Sequence, residues 1–233
     1  MTDTGTRSGL PDAVTSTTQD PARDRDTTRA ETIAGLVMVG LVLLGALWLR
    51  SHTGPNFVDH WGSSFVHPAL GNPWWTRLTY LKRVPVLVAG SILAALVVVL
   101  RDRWRALACL VAPTIAAVLT EYFFKPLTGR HFTQVLSYPS GTTTVVAALV
   151  MAWWLAVTPR FRPVVAVVGA FLVGLECMAV VALEWHYPSE AIAGAVFGVG
   201  FVLLVDGVVH LAVAAERRRH AGAPAPFVSP PPA

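Results

Sequence analysis

A histidine and a glutamate four residues apart have a spacing that suits catalysis. His186 and Glu190 lie where the last long apolar run begins. On a helical or near-helical turn the two side chains can meet, so the carboxylate can hold one ring nitrogen and leave the other free. An imidazole nucleophile or general base needs this arrangement. The alternative is an interfacial histidine that is simply paired with a nearby acid.

Basic residues precede a second segment that could bind an anion. Lys125 and Arg130 come shortly before Ser140 and Gly141, which open another apolar run. Serine is a favoured N-cap, and the free amides of a helix start attract anions. Gly141 would let a ligand oxygen approach the backbone closely. The pattern predicts a phosphate site; the alternative is ordinary interfacial basic residues beside a capped helix.

Six apolar runs must position these residues. The chain has 233 residues, 54% hydrophobic and 14% charged, whereas a soluble domain carries about 25% charged residues. The runs span approximately Glu31–Leu49, Val84–Leu100, Trp104–Phe124, Thr143–Val157, Val164–Trp185 and Ala191–Ala214. Because a membrane-spanning helix needs about 20 apolar residues, the sequence predicts an all-α polytopic membrane protein, a six-transmembrane-helix bundle.

The regions outside the runs predict domain limits and orientation. Residues 1–30 and 216–233 are predicted to be disordered cytoplasmic tails around a membrane domain at 31–215, since they hold few large apolar side chains. With the N-terminus inside, twelve of the eighteen basic residues are cytoplasmic. This bias predicts a multi-pass plasma-membrane protein with both termini inside and the site on the external face.

Two further features belong to the predicted external loop and the fifth run. The segment Asn56 to Val66 is predicted to form a helix lying on the membrane surface, with tryptophans of the loop as interfacial anchors. Glu176 falls near the middle of the fifth run, where a charge costs about 2.5–3.5 kcal/mol. We therefore expect Glu176 to be protonated or to face a polar cavity.

The order of these motifs resembles the type 2 phosphatidic acid phosphatase and vanadium haloperoxidase superfamily. The resemblance covers about residues 104–200 and rests on Lys125 with Arg130, on Pro-Ser-Gly ending at Gly141, and on His-Tyr-Pro-Ser-Glu starting at His186. It implies that His186 forms a phosphohistidine and that Glu190, in place of the usual aspartate, orients its ring. It also implies that Lys125, Ser140 and Gly141 hold the phosphate, while Arg130 matches an extra arginine of some members.

Three positions depart from the family pattern. Thr142 stands at the general-acid position, and Phe132 and Val180 stand where the family has arginines. A threonine hydroxyl is a poor acid near neutral pH, so His131 is a possible substitute acid if its loop folds back. An active enzyme with altered chemistry would then prefer a diphosphate, whose leaving group needs little protonation.

The alternatives to an active phosphatase are a catalytically inactive protein that binds lipid phosphates or acts as a scaffold, and a small transporter. The expected partners are a lipid phosphate or polyprenyl diphosphate substrate and the bilayer. Nucleic acid is not expected, because the basic residues flank apolar runs. No metal spacing is found and no organic cofactor is implied. The oligomeric state stays open.

Overall fold

The described structure is almost entirely helical. The computed structural model describes residues 21–66, 72–132 and 135–221. Its helices are α1 Pro21–Leu49, α2 Phe57–Val66, α3 Trp74–Leu78, α4 Val84–Val98, α5 Arg103–Leu119, α6 Lys125–Thr128, α7 Gly141–Ala156, α8 Arg162–Ala182 and α9 Pro188–Ala221. Short 3₁₀ turns span Thr79–Lys82 and Pro159–Phe161, and a π-helical segment, Thr120–Phe124, joins α5 to α6. Strands β1 His131–Phe132 and β2 Val135–Leu136 form a small antiparallel ladder.

Each of the six predicted apolar runs forms a helix, but the helix ends differ from the predicted domain limits. α1 begins at Pro21, so residues 21–30 are helical although they were predicted to belong to a disordered tail. α9 continues to Ala221, past the predicted boundary at 216. The remainder of both predicted tails, residues 1–20 and 222–233, lies outside the described residues.

The described helices do not all have the length of a membrane span. Four stretches are long and apolar enough, Asp26–Leu49, Arg103–Thr128, Pro159–Ala182 and Pro188–His220. A fifth span results if Trp74–Lys82 and α4, which meet at a bend of 55°, act as one. α7 has only 16 residues, below the usual range of about 17–25. The predicted all-α class is therefore confirmed, whereas the predicted count of six spans is not: the described residues supply four candidate spans, or up to five.

The short helix α7 lies at the centre of the bundle. It packs against α4, α5, α8 and α9, and most of its side chains are buried. α9 approaches α7 closely at Gly198, where a Cβ would lie 2.9 Å from the backbone nitrogen of Ala148. α9 meets α1 in the same way, since a Cβ at Gly35 would lie 2.7 Å from the carbonyl oxygen of Gly200. Small residues thus let three helix backbones pack without intervening side chains.

The connections separate two ends of the bundle. The α4–α5 and α7–α8 turns, the start of α1 and the end of α9 lie at one end. The opposite end carries α2, α3, the β-ladder and the starts of α7 and α9. His186 and the other residues predicted to do chemistry all belong to this second end, apart from Glu176.

Candidate active site

A cavity of about 470 Å³ opens at the end of the bundle where α7 begins. This volume is within the usual range for small-molecule sites, roughly 300–1,000 Å³. Its polar lining consists of Lys82, Glu121, Lys125, Thr142, Glu184 and His186. Its apolar lining includes Val84, Leu87, Ala117 and Val145, which belong to α4, α5 and α7. The cavity therefore combines charged side chains with a wall formed by the apolar helices α4, α5 and α7.

His186 is held by one ring nitrogen. Its Nδ1 lies 3.1 Å from Oε2 of Glu190. A carboxylate can only accept, so Nδ1 carries the hydrogen and the lone pair of Nε2 is free. Within the described segments, Nε2 has no hydrogen-bond partner, and the ring lines the cavity. This is the geometry of an imidazole that can attack an electrophile.

Glu190 is fully buried and accepts hydrogen bonds at both carboxylate oxygens. Its Oε1 accepts from the hydroxyl of Ser137 at 2.7 Å and lies 3.4 Å from Nε of Arg130. Its Oε2 also accepts from the backbone N–H of Tyr187 at 3.1 Å. Donors on both oxygens offset the cost of burying the charge. The carboxylate that orients His186 is therefore itself fixed in place.

The turn after α8 presents His186 to the cavity. Glu184 has a left-handed backbone with φ of 54°. The backbone N–H groups of Trp185 and His186 then both donate to the carbonyl oxygen of Val180, at 3.0 and 3.2 Å. Val180, which stands where the resemblance implies an arginine, is fully buried. Its side chain cannot contact a ligand in the cavity, and its carbonyl anchors the loop that carries His186 instead.

Lys125 lies in the cavity but is already paired. Its Nζ contacts both carboxylate oxygens of Glu121, at 2.8 and 2.7 Å. Glu121 belongs to the π-helical segment, and its Oε1 fills the space that a Cβ on Gly141 would need. The structure thus brings Lys125 and Gly141 together as predicted, with a carboxylate of the same chain beside them.

Ser140 acts as a helix cap. Its Oγ accepts from the backbone N–H and the hydroxyl of Thr143, at 3.4 and 3.1 Å. The Ser140 backbone N–H donates to the carbonyl oxygen of Glu190 at 3.0 Å, which links the starts of α7 and α9. Ser140 is fully buried and does not line the cavity, whereas Thr142 does. Helix α7 therefore offers its first residues, Gly141 and Thr142, to a ligand.

Arg130 occupies a structural position, although the sequence predicts that it binds phosphate. Its side chain is fully buried. Its Nη2 lies 2.7 Å from Oδ2 of Asp59, and its Nη1 donates to the Ser189 hydroxyl at 3.1 Å. Two carbonyl oxygens of the α1–α2 loop, those of Thr53 and Gly54, accept from the same guanidinium. Arg130 does not line the cavity, so its charge acts on Glu190 and Asp59.

The two residues of β1, which follow Arg130 in sequence, are placed differently with respect to the cavity. His131 is exposed, its Nδ1 lies 2.9 Å from the carbonyl oxygen of Gly129, and it does not line the cavity. The structure therefore does not bring this predicted substitute acid to Thr142. Phe132 lines the cavity and packs edge-on against Tyr187, with ring centroids 4.6 Å apart. It supplies an apolar wall where the resemblance implies an arginine.

Two residues of the site were not identified from the sequence. Lys82 lines the cavity, with its ammonium 4.4 Å from the ring centroid of Trp185. Its sequence signal is the pair of basic residues Lys82 and Arg83, which is unusual in a segment predicted to be external. Asp59 is the second, and its only local signal is its place three residues after Asn56, typical of a capped helix start.

Asp59 is stabilised as a carboxylate. Burial alone would raise its pKa, but hydrogen bonds from the backbone N–H of Asn56, from Ser189 and from Arg130 together hold the pKa below its usual range. The Ser189 backbone N–H donates to Oδ1 at 3.0 Å and Asn56 donates to Oδ2 at 2.9 Å. Asp59 therefore connects α2 to the start of α9.

Comparison with known proteins yields one match. The sequence model described as the PAP2 superfamily matches residues 107–213. The chain has no significant match among curated proteins or among solved structures. The matched segment includes Lys125, Gly141, His186 and Glu190, and it excludes Asp59 and Lys82.

Proposed function

We propose that this chain, which belongs to the PAP2 superfamily over residues 107–213, is a membrane phosphatase that removes phosphate from a lipid phosphate or diphosphate ester on the outer face. Membership of the superfamily indicates a phosphatase-type function. The observation that carries the proposal is the pairing of His186 with the buried Glu190 in a cavity that also holds Lys82 and Lys125.

The chemistry begins with His186. Nε2 attacks phosphorus, the bond from phosphorus to the leaving oxygen breaks, and a phosphohistidine forms. Glu190 stabilises the positive charge that develops on the ring, as the acid partner does in other histidine-based sites. A water molecule then hydrolyses the phosphohistidine and regenerates the free imidazole. Lys82 and Lys125 offset the negative charge of the phosphate oxygens.

Phosphate must compete with Glu121 for Lys125. In the structure both carboxylate oxygens of Glu121 accept hydrogen bonds from Nζ of Lys125, beside Gly141. A bound phosphate oxygen at the first turn of α7 would replace the carboxylate as the partner of Lys125. Ion pairs of such partly exposed groups contribute only about 0–1 kcal/mol, so this exchange has a low cost.

The leaving group determines how much Thr142 matters. Loss of a general acid costs about 10²–10⁴-fold in rate. A diphosphate releases a phosphate monoester whose second pKa is about 6, comparable to that of a phosphoserine. Such a group leaves without a strong acid. We therefore propose that a polyprenyl diphosphate is a better substrate than phosphatidic acid.

The shape of the cavity supports an amphipathic substrate. Its charged mouth holds Lys125 and His186, and its apolar wall includes Leu87 of α4 and Val145 of α7. A head group placed against the charges would direct its chain along helices that face hydrocarbon. A water-soluble phosphate ester would gain nothing from this wall.

We further propose six spans with the site outside. α7 can cross with 16 residues because it is enclosed by other helices, and residues 138–140 and 157 extend it at its two ends. Of the seventeen basic residues among those that the structure describes, eleven belong to the end of the bundle opposite His186. The positive-inside rule then places that end in the cytoplasm.

The test is phosphate release by the protein purified in detergent. Polyprenyl diphosphate and phosphatidic acid are compared for the parent protein, His186→Ala and His131→Ala. We expect release that His186→Ala abolishes and His131→Ala leaves unchanged, because His131 lies outside the cavity. The diphosphate should be turned over faster, and an acid-labile phosphoenzyme should be trapped only when His186 is present. Equal loss in both variants, or no release from either lipid, would contradict the proposal and favour an anion-binding protein without turnover.

A further inference from the structure

A second cavity lies at the other end of the bundle and is lined by arginines. Its volume is about 680 Å³. It is formed by the start of α1, the turn between α4 and α5 and the last turns of α9. Five arginines line it: Arg29, Arg101, Arg103, Arg217 and Arg218. It shares no lining residue with the cavity that contains His186.

The positive charge of this cavity is not cancelled by its own acidic residue. Asp102 is the one carboxylate among the described residues that line it. Its Oδ1 caps α5 by accepting from the backbone N–H groups of Trp104 and Arg105, at 3.0 Å each. Its Oδ2 lies 2.8 Å from Nε2 of His210. The carboxylate is thus already engaged by partners other than the five arginines.

Asp102 is also held in its ionised form. Burial alone would raise its pKa, but the backbone N–H of Arg105 and the side chain of His210 hold the pKa below its usual range. Even with Asp102 fully charged, five guanidinium groups face one carboxylate around a single concave space. Like charges at this density repel each other unless an anion lies among them.

The floor of the cavity is rigid. Below it, Arg105 donates from Nε and Nη2 to the two carboxylate oxygens of Asp206, at 3.3 and 3.1 Å. His210 connects the same two helices, since its Nδ1 lies 2.8 Å from the carbonyl oxygen of Asp206 while its Nε2 contacts Asp102. α5 and α9 are therefore fixed relative to each other where they carry Arg103 and Arg217.

Part of the lining is apolar. Trp104, Leu211, Val213 and Ala214 share the cavity with the arginines. A site for a small free anion needs no such surface. A ligand that carries a phosphate and a hydrocarbon chain would contact both parts, and phospholipids supply this combination at a membrane interface.

We propose that this cavity binds the head group of an anionic phospholipid in the cytoplasmic leaflet. The phosphate diester lies among the arginines, and the acyl chains follow Leu211 and Val213 toward the bilayer. A phosphodiester has no terminal phosphate to be removed by the chemistry proposed for His186. The ligand of this site is therefore not a substrate of the other.

The test uses binding to the full-length protein in neutral detergent. Phosphatidylglycerol, phosphatidylcholine of the same chain length and inorganic phosphate are titrated separately, with binding followed by native mass spectrometry and by the melting temperature. The double variant Arg217→Gln/Arg218→Gln is compared with Arg160→Gln/Arg219→Gln. Both remove two positive charges from the same end of the bundle, but Arg160 and Arg219 do not line the cavity.

We expect phosphatidylglycerol to bind more tightly than phosphatidylcholine, and inorganic phosphate to bind least. Arg217→Gln/Arg218→Gln should weaken phosphatidylglycerol binding about 30-fold, whereas the control pair should change it less than about threefold. Phosphate release by all variants should match that of the parent, since neither pair lies near His186. Equal weakening in the two double variants, equal affinity for the two lipids, or binding of inorganic phosphate as tight as that of phosphatidylglycerol would overturn the proposal.

Discussion

Replacing Arg130 by methionine distinguishes a structural role from a phosphate-binding role. Methionine keeps much of the apolar bulk of the side chain and removes the guanidinium. In the structure this group contacts Asp59 at 2.7 Å and Glu190 at 3.4 Å, and all three side chains are buried. The substitution would therefore leave two buried carboxylates without their shared cation.

The expected cost follows from that burial. Removing one partner of a buried ion pair destabilises a protein by about 3–5 kcal/mol. For a domain of about 200 residues this corresponds to a fall in melting temperature of roughly 6–20 °C. Activity should fall as well, because Glu190 would no longer hold His186 in a fixed orientation.

The assay is thermal unfolding in detergent together with steady-state kinetics of phosphate release. Arg77→Met is the matched control, since Arg77 is exposed and its guanidinium only stacks on Trp74. It should shift the melting temperature by less than about 2 °C. Adding Asp59→Asn to Arg130→Met removes one unpaired carboxylate, so the double variant should lose less stability than the sum of the two single variants.

A different pattern would refute this reasoning. If Arg130 instead contacts substrate phosphate, Arg130→Met would leave the melting temperature near that of the parent. Arg130→Met would then lower kcat/KM by roughly 10- to 150-fold, which corresponds to the free energy of one charge-assisted hydrogen bond to the substrate. Additive effects of Arg130→Met and Asp59→Asn would also contradict a shared ion pair.

Three further predictions concern other carboxylates. Glu121→Gln should lower KM up to about fivefold, because phosphate would no longer compete with an ion pair of about 0–1 kcal/mol; unchanged KM in substrate titrations would contradict this. Glu176→Leu should leave the melting temperature unchanged or raise it, since both carboxyl oxygens of Glu176 lack a hydrogen-bond partner among the described residues. Asp206→Leu, in contrast, should lower the melting temperature because it removes the ion-pair partner of Arg105. The pKa of Asp59 is lowered in the folded state, so its contribution to stability is present above about pH 4 and is lost as the pH falls through the folded-state pKa. The stability of Asp59→Asn should therefore depend less steeply on pH in this acid range than the stability of the parent protein. Acid unfolding of the two proteins checks this.

Local spacing was sufficient to predict that the side chains of His186 and Glu190 meet. His186 and Glu190 are four residues apart in sequence, and Nδ1 lies 3.1 Å from the carboxylate. The same holds for Lys125 and Glu121, which the i,i+4 rule pairs on one helix face. Both predictions needed only helical periodicity.

Contacts between distant segments were not accessible in the same way. Arg130 and Asp59 are 71 residues apart, and no periodic pattern indicates that α2 meets the turn between α6 and β1. Lys82 reaches the cavity because Trp74–Lys82 and α4 meet at a bend of 55°, which hydropathy cannot show. Length alone also does not decide whether α7 is a span, since α7 is short but enclosed, and its enclosure depends on the packing of neighbouring helices.

The hydrogen bond from the Ser140 backbone N–H to the Glu190 carbonyl oxygen has a consequence for the order in which the protein matures. Ser140 and Asp59 are synthesised well before Glu190, and α9 is the last of the described helices to emerge and pack. Until it does, α7 lacks an anchor at its first turn and Arg130 lacks one of its two carboxylates. An incomplete chain would therefore carry His186 on a loop without a fixed orientation, and the cavity beside α7 would take its final shape only after α9 has packed.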